Sequence, residues 1–170
     1  MQVSLVLGAT LGEDAENAIA RIYPNASLHF EAKPLYQKAK TIAEQEARQR
    51  FSVDKQFVWQ IKIDNKLIGY ALMDNVIGKV QPITYLILYT DDLSVSHVKV
   101  LRYREQIGGA IQNPRWLEQF KGLKPESSFA RGKDVDGITG ATISVDALAA
   151  GLKRMSVYLS LVQGELSNDD

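Results

Sequence analysis

The stretch over residues 56–103 constrains the fold more than any other part of the chain. Phe57, Trp59, Ile61 and Ile63 recur at every second position, the side-chain period of a strand. Asp64, Asn65 and Lys66 supply turn residues and an apolar run from Leu67 to Leu72 returns, so 56–73 reads as a β-hairpin. A second pair follows at 84–90 and 95–103, joined around Asp91, Asp92, Leu93 and Ser94. Tyr85, Ile87 and Tyr89 fall on one face of its first strand and Leu86 and Leu88 on the other. A strand apolar on both faces belongs in the centre of a sheet covered on both sides. Short turns can join only antiparallel neighbours. The expectation is an α+β fold, a twisted, mostly antiparallel sheet flanked by helices, rather than a doubly wound α/β fold.

The helices come from the other period. Residues 13–23 place Ala15, Ala18, Ile19 and Ile22 on one face, and Pro24 stops the run. Residues 27–33 read as extended. Residues 36–51 form a charged helix with a weak stripe of Tyr36, Ala39, Ala43, Ala47 and Phe51, its charges a solvated face. A short helix over 116–122 follows Pro114 and is closed by Gly122. Its Trp116 and Phe120, one turn apart, read as a core pair rather than as rings stacked on a ligand. A last helix carries Val145, Leu148, Leu152, Met155, Leu159 and Val162. The domain reading is an N-terminal helical segment over 1–55 packed on the domain, the domain itself over 56–165, and a tail over 166–170.

Composition removes several classes of function. Lys plus Arg and Asp plus Glu each count 20, without a basic cluster, so neither nucleic acid nor an anionic membrane surface is expected as a partner. Cysteine is absent, which removes disulfides, thiol catalysis, iron–sulfur ligation and thiolate zinc sites. The two histidines, His29 and His97, lie in unrelated segments, and His97 reads as a strand surface residue, so no metal site is expected. No run approaches the ~20 apolar residues of a membrane helix. Residues 1–10 carry no Lys or Arg and do not read as a signal peptide as written.

Chemistry concentrates at residues 136–144, Asp-Gly-Ile-Thr-Gly-Ala-Thr-Ile-Ser, just ahead of the last helix. Gly137 and Gly140 let backbone approach a ligand closely. Thr139, Thr142 and Ser144 offer hydroxyls. A small-residue turn opening a helix presents free N–H groups at its positive end, where a phosphate can sit. The same residues also suit a plain N-cap. On physical grounds alone both readings stand.

The string resembles the flavinylation motif Asp-x-x-(Ser/Thr)-Gly-Ala-Thr of the FMN-binding domain family, found in the small FMN-carrying subunits of Rnf and Nqr electron-transport complexes. Asp136, Thr139, Gly140, Ala141 and Thr142 match every fixed position. In that family a flavin transferase uses FAD to join FMN, through its phosphate, to the last threonine. The resemblance therefore implies covalent FMN on Thr142, with Asp136 serving transferase recognition or turn geometry. A second Gly-Ala-Thr at 8–10 lacks the motif's other residues, with Ser4 and Leu7 in their places, so Thr10 reads as unmodified. The family's flavin loop, usually Glu-Thr-x-Gly-x-Gly, is similar to the stretch at 105–110. Glu105 and Gly108 are kept, while Gln106, Gly109 and Ala110 depart. A Phe-Lys-Gly-Lys stretch of the family is similar to Phe120, Lys121, Gly122 and, one residue late, Lys124. By resemblance, Thr139, Gly140, Ala141 and Ser144 hold the phosphate, Glu105, Gln106, Gly108 and Gly109 hold the ring edge, and Lys121 or Lys124 favours a reduced, anionic flavin.

The likeness covers about residues 69–155, with a fainter match at Tyr23-Pro24-Asn25-Ala26. It implies an electron carrier, rather than an enzyme acting on a small substrate, that passes electrons between protein partners, a membrane electron-transport complex among the candidates. An extracytoplasmic location is implied, with a cytoplasmic one as the alternative. Rival functions are a non-covalent FMN module, and a hydrolase or structural adaptor with a phosphate-binding turn.

Overall fold

Five strands follow one another in space in the order in which they occur in the chain. The computed structural model describes residues 2–166, with side chains from Leu11 onward; Met1, the side chain of Thr10 and all but the first residue of the expected 166–170 tail lie outside the described residues. The strands are β1 (Ser27–Pro34), β2 (Lys55–Ile63), β3 (Lys66–Ile77), β4 (Pro82–Thr90) and β5 (Val95–Arg102). Each pairs antiparallel with the next, giving the sheet order β1-β2-β3-β4-β5. The β2–β3 connection needs only Asp64 and Asn65, both at positive φ (51° and 61°), a conformation these short polar side chains tolerate and one that matches strand twist.

Both faces of this meander are covered. On one, α2 (Gln37–Ala47) and α4 (Thr142–Leu166) pack over Tyr70, Leu72, Val76, Ile83, Tyr85, Ile87 and Tyr89. On the other, α1 (Gln2–Ile22) lays Ala15, Ala18 and Ile19 on Trp59, Ile61, Ala71, Leu86 and Leu88. The small alanines let the helix come close, and the larger strand residues fill the layer. The two-faced apolar pattern of β4 is met by burial along nearly its whole length. It is an interior strand, and β3 takes the middle of the sheet. The fold is α+β, as the hairpins require.

Several elements differ from the periodicity reading. α1 begins at Gln2 rather than at residue 13; 2–12 contains no proline that would break it. α2 spans 37–47, not 36–51. Arg48 adopts the left-handed conformation (φ 52°) and ends the helix. Phe51 instead gives its N–H to the Glu44 carboxylate (2.9 Å) and sets its ring edge-on to Tyr158. The expected helix at 116–122 is α3 (Pro114–Leu117) followed by one 3₁₀ turn, Glu118–Phe120, with Gly122 beyond it at φ 85°. Asn113 caps α3 through its side chain, 3.0 Å from the Arg115 N–H. Trp116 and Phe120 are buried with ring centroids 5.3 Å apart in an edge-to-face pair, as read.

Candidate functional site

The start of α4 lacks a side-chain cap. The Ala141 carbonyl accepts the Val145 N–H at 2.9 Å, which makes Ala141 the N-cap and Thr142 the first helical residue. Alanine has no side-chain oxygen to offer, so the N–H groups of Thr142, Ile143 and Ser144 gain no acceptor from the residue that would normally supply one. Upstream, Gly140 takes φ 81° with open space where a Cβ would stand, and Ala141 bonds back to Ile138 at 3.0 Å. Thr139 and Thr142 are exposed, and neither hydroxyl has a hydrogen-bond partner among the described residues. Thr142 is therefore a free hydroxyl beside a positive helix end, not the cap.

This helix end forms one wall of a cleft of about 310 Å³. The facing wall comes from the β3–β4 turn, through Lys79, and from the segment after β5, through Glu105, Ile107 and Gly108. The two walls are tied together at the bottom. The Tyr103 hydroxyl lies 3.2 Å from Ser144 Oγ and donates to the Ile107 carbonyl. Gly108 sits over that hydroxyl at φ 89°, and a Cβ there would meet Tyr103 Oη at 2.5 Å and Ser144 Oγ at 3.0 Å. Only glycine fits both the angle and the space. At the mouth stand two apolar side chains, Ile107 (76% exposed) and Ile143 (55%).

Glu105 lines the cleft but spends its carboxylate elsewhere. Its Oε1 accepts the N–H groups of Val80 (3.0 Å) and Gln81 (3.1 Å), and these bonds, the Val80 N–H foremost, hold the carboxyl below the usual glutamate range. Gly78 makes the grip possible, since a Cβ there would lie 2.5 Å from Glu105 Oε1.

Of the residues implicated by resemblance, Gly140, Ala141, Thr142, Ser144, Glu105 and Gly108 converge on this cleft. Thr139 is exposed on the turn just before it, Gln106 points to solvent, and Gly109 packs against the Tyr103 ring; none of these lines it. Asp136 is fixed through its backbone: its N–H reaches Gln119 Oε1 (2.8 Å) and its carbonyl accepts the Trp116 indole N–H (2.8 Å). Its carboxylate remains exposed, and Trp116 thereby steers the chain into the 137–141 turn.

Lys121 and Lys124 are not brought to the cleft. Lys124 pairs with Asp92 in the β4–β5 turn at 3.5 Å, and the Gly122 N–H joins the Val95 carbonyl at the start of β5. The cleft lies beyond the other end of that eight-residue strand, roughly 25 Å away at about 3.3 Å per residue. In their stead the structure brings in Lys79 and Tyr103, which sequence reasoning passed over. Their only signals were a lysine in a hairpin turn and a tyrosine closing a strand. Among the described residues no group of acidic or histidine side chains could hold a metal ion, and no helix is long and apolar enough to cross a membrane.

The family described as FMN-binding domain matches residues 78–156, a span that contains every residue lining the cleft. Among solved structures, NqrC of Shewanella oneidensis is similar with a TM-score of 0.52 at 18% identity, covering 69% of this chain and 66% of that one. A subunit of the Na⁺-translocating NADH-quinone reductase of Parabacteroides distasonis has a TM-score of 0.51 at 20% identity, covering 84% and 80%. At such identities the likeness is one of fold. No curated protein matches in sequence.

Proposed function

We propose, from the match of residues 78–156 to the FMN-binding domain family, that the chain is an electron carrier whose FMN is joined through its phosphate to Thr142 by a flavin transferase. The observation that carries this reading is the Thr142 hydroxyl: exposed, without a partner among the described residues, and first in a helix whose cap position holds an alanine. A hydroxyl engaged in capping would resist esterification, whereas this one is free.

The residues present suit the group. The N–H groups at 142–144 and the helix dipole favour an anionic phosphodiester. Gly140 leaves the backbone approach open. Ile107 and Ile143 offer apolar surface to a ring at the cleft mouth, and the Tyr103 bridge holds Ile107 at its distance from α4. When bound, FMN supplies the redox chemistry and the protein supplies orientation, access and electrostatics. The cleft is open to solvent, and the one carboxylate that lines it, Glu105, is taken up by the N–H groups of Val80 and Gln81, which favours electron exchange between proteins over conversion of a small substrate. In the transfer, FAD donates: the Thr142 oxygen bonds to the FMN-side phosphorus, the pyrophosphate bond breaks, AMP leaves, and the hydroxyl proton passes to a base of the transferase.

In this reading the protein works outside the cytoplasm with redox partners of a membrane electron-transport complex. Covalent retention is of most use there, because lost cofactor is not replaced from a cytoplasmic pool. The test is intact mass after co-expression with a flavin transferase, beside Thr142→Ala. The expected result is a gain of one FMN in the parent and none in the variant. A parent that gains nothing, with the transferase active on another substrate, removes the covalent reading and leaves at most a non-covalent site.

A further inference from the structure

We propose that Lys79 is the cationic residue of the cofactor cleft, in the role that sequence resemblance gave to Lys121 or Lys124; this rests on the FMN reading above. Three observations converge on it. First, Lys79 lines the cleft on the wall facing Thr142, whereas Lys121 and Lys124 lie at the far end of β5.

Second, the turn that carries Lys79 is held on both sides. The Gly78 N–H bonds to the Gln81 carbonyl at 3.0 Å, and the N–H groups of Val80 and Gln81 bond to Glu105. Gly78 is boxed in by Glu105 Oε1, Ile83 and the Gln81 carbonyl, so the turn has little room to shift. A lysine between two pinned neighbours presents its charge from a fixed backbone, which lowers the entropy lost when it meets an anion.

Third, Lys79 is the one cationic residue among those lining the cleft. The Arg104 guanidinium is engaged with the Pro82 carbonyl (2.8 Å) and Thr84 Oγ1 (3.1 Å), and Arg131 is paired with Asp146 at 2.8 Å. Lys79 is exposed and forms no ion pair within 4 Å among the described residues; the nearby Glu105 carboxylate is bound first to the N–H groups of Val80 and Gln81, and the Lys79 charge helps to hold its carboxyl down. The start of α4 can serve the phosphate through backbone N–H groups alone. A cation on the opposite wall is placed to favour the ligand's other negative charge, that of a reduced isoalloxazine. The class of ligand is thus a phosphorylated flavin bearing charge at both ends.

The experiment compares Lys79→Met, Lys79→Arg and Lys121→Met in two assays. In flavin-loaded protein, the midpoint potential is read: Lys79→Met is expected to shift the reduced-to-oxidised ratio against the reduced form about five-fold, which is about 20 mV for a two-electron couple. Lys79→Arg should restore most of the shift, and Lys121→Met should cause none. In unloaded protein, free FMN is titrated by fluorescence, and Lys79→Met is expected to weaken binding about three- to five-fold. A changed potential assigns Lys79 to the ring. Weakened binding at unchanged potential assigns it to the phosphate. Both outcomes support Lys79 as the cleft's cation. Flavin uptake by the parent with neither quantity moved in Lys79→Met overturns the assignment and leaves the FMN reading intact. A parent that takes up FMN by neither route overturns both.

Discussion

Two turns of the same helix treat polar groups in opposite ways. At Arg154 the side chain is fully buried and both terminal nitrogens of its guanidinium are matched. They pair with the Asp74 carboxylate and donate to Gln49 Oε1 (2.8 Å) and to the carbonyls of Arg50 and Asn75, and the guanidinium carbon lies 4.3 Å over the Phe51 ring. Tyr85 adds a bond to Asp74 at 3.2 Å. Burial still pushes the Asp74 carboxyl upward, the guanidinium pulling the other way. At Thr142, roughly 18 Å along the axis at about 1.5 Å per residue, helix N–H groups lack a side-chain cap and the hydroxyl faces solvent. The Arg154 turn shapes the fold, welding α4 to β3 and to the end of α2. The Thr142 turn contributes little to the fold and is open to a ligand. At the Arg154 turn the Nε alone is left without a partner among the described residues, so polar groups sort into architecture and site by how far the chain itself satisfies them.

The sharpest way to break this comparison is to remove one polar group from each turn and measure stability by chemical denaturation. Arg154→Met leaves Asp74 buried without its counter-charge and should cost about 3–5 kcal/mol. Thr142→Ala removes nothing the fold uses and should stay within about 0.5 kcal/mol of the parent. Comparable losses in the two variants would show that the division is false. A middle-sized effect is expected at Gly108, which belongs to the site yet is structurally constrained. Gly108→Ala forces a side chain into φ 89° and onto the Tyr103 hydroxyl, at a cost of about 1–3 kcal/mol. Gly140→Ala meets the strained angle alone, with open space around the new methyl, and should lose less. If the two alanines cost the same, the Tyr103 contact contributes nothing to the tightness of the cleft wall.

What could be read in advance follows the same division. The β2–β3 and β4–β5 hairpins were legible because a two-residue period and a polar turn are local signals, and Phe57, Trp59 and Tyr85 need only their neighbours to declare a strand. The Thr142 turn was legible because its residues are contiguous. The cleft's facing wall was not. Lys79 and Tyr103 reach it through the pairing of β3, β4 and β5, and neither residue type at those positions is unusual. Lys121 and Lys124 were misplaced for the converse reason: they sit near the motif in the chain, but β5 runs the whole length of the sheet between them and the cleft. The end of α2 was misread because Phe51 continues the apolar stripe, while the left-handed Arg48 and the demands of Arg154 on Gln49 and Arg50 are tertiary facts.

The smallest effect expected is confined to the β3–β4 turn and concerns pH. Glu105 has its carboxyl depressed by the N–H groups of Val80 and Gln81. A carboxyl lower in the folded chain than in the unfolded one contributes a hold that is fully present above the unfolded value, about 4.3, and is lost as pH falls through the folded value. The turn should therefore stay fixed at neutral pH and loosen only in acid, as pH falls below the unfolded value. Amide exchange of Val80 and Gln81, corrected for intrinsic rates, reads it directly. Protection should fall in acid in the parent and stay flat in Glu105→Gln, which retains an acceptor but cannot titrate. The turn also carries Lys79, so the same loosening frees the lysine backbone from its place on the cleft wall, while the uncapped N–H groups of α4 do not titrate and keep theirs. An acid-induced loss of protection that is equal in parent and variant would mean that Glu105 does not hold the turn. The two walls of the cleft would then be alike in rigidity, and the contrast between matched and unmatched polar groups would stop short of this side of the site.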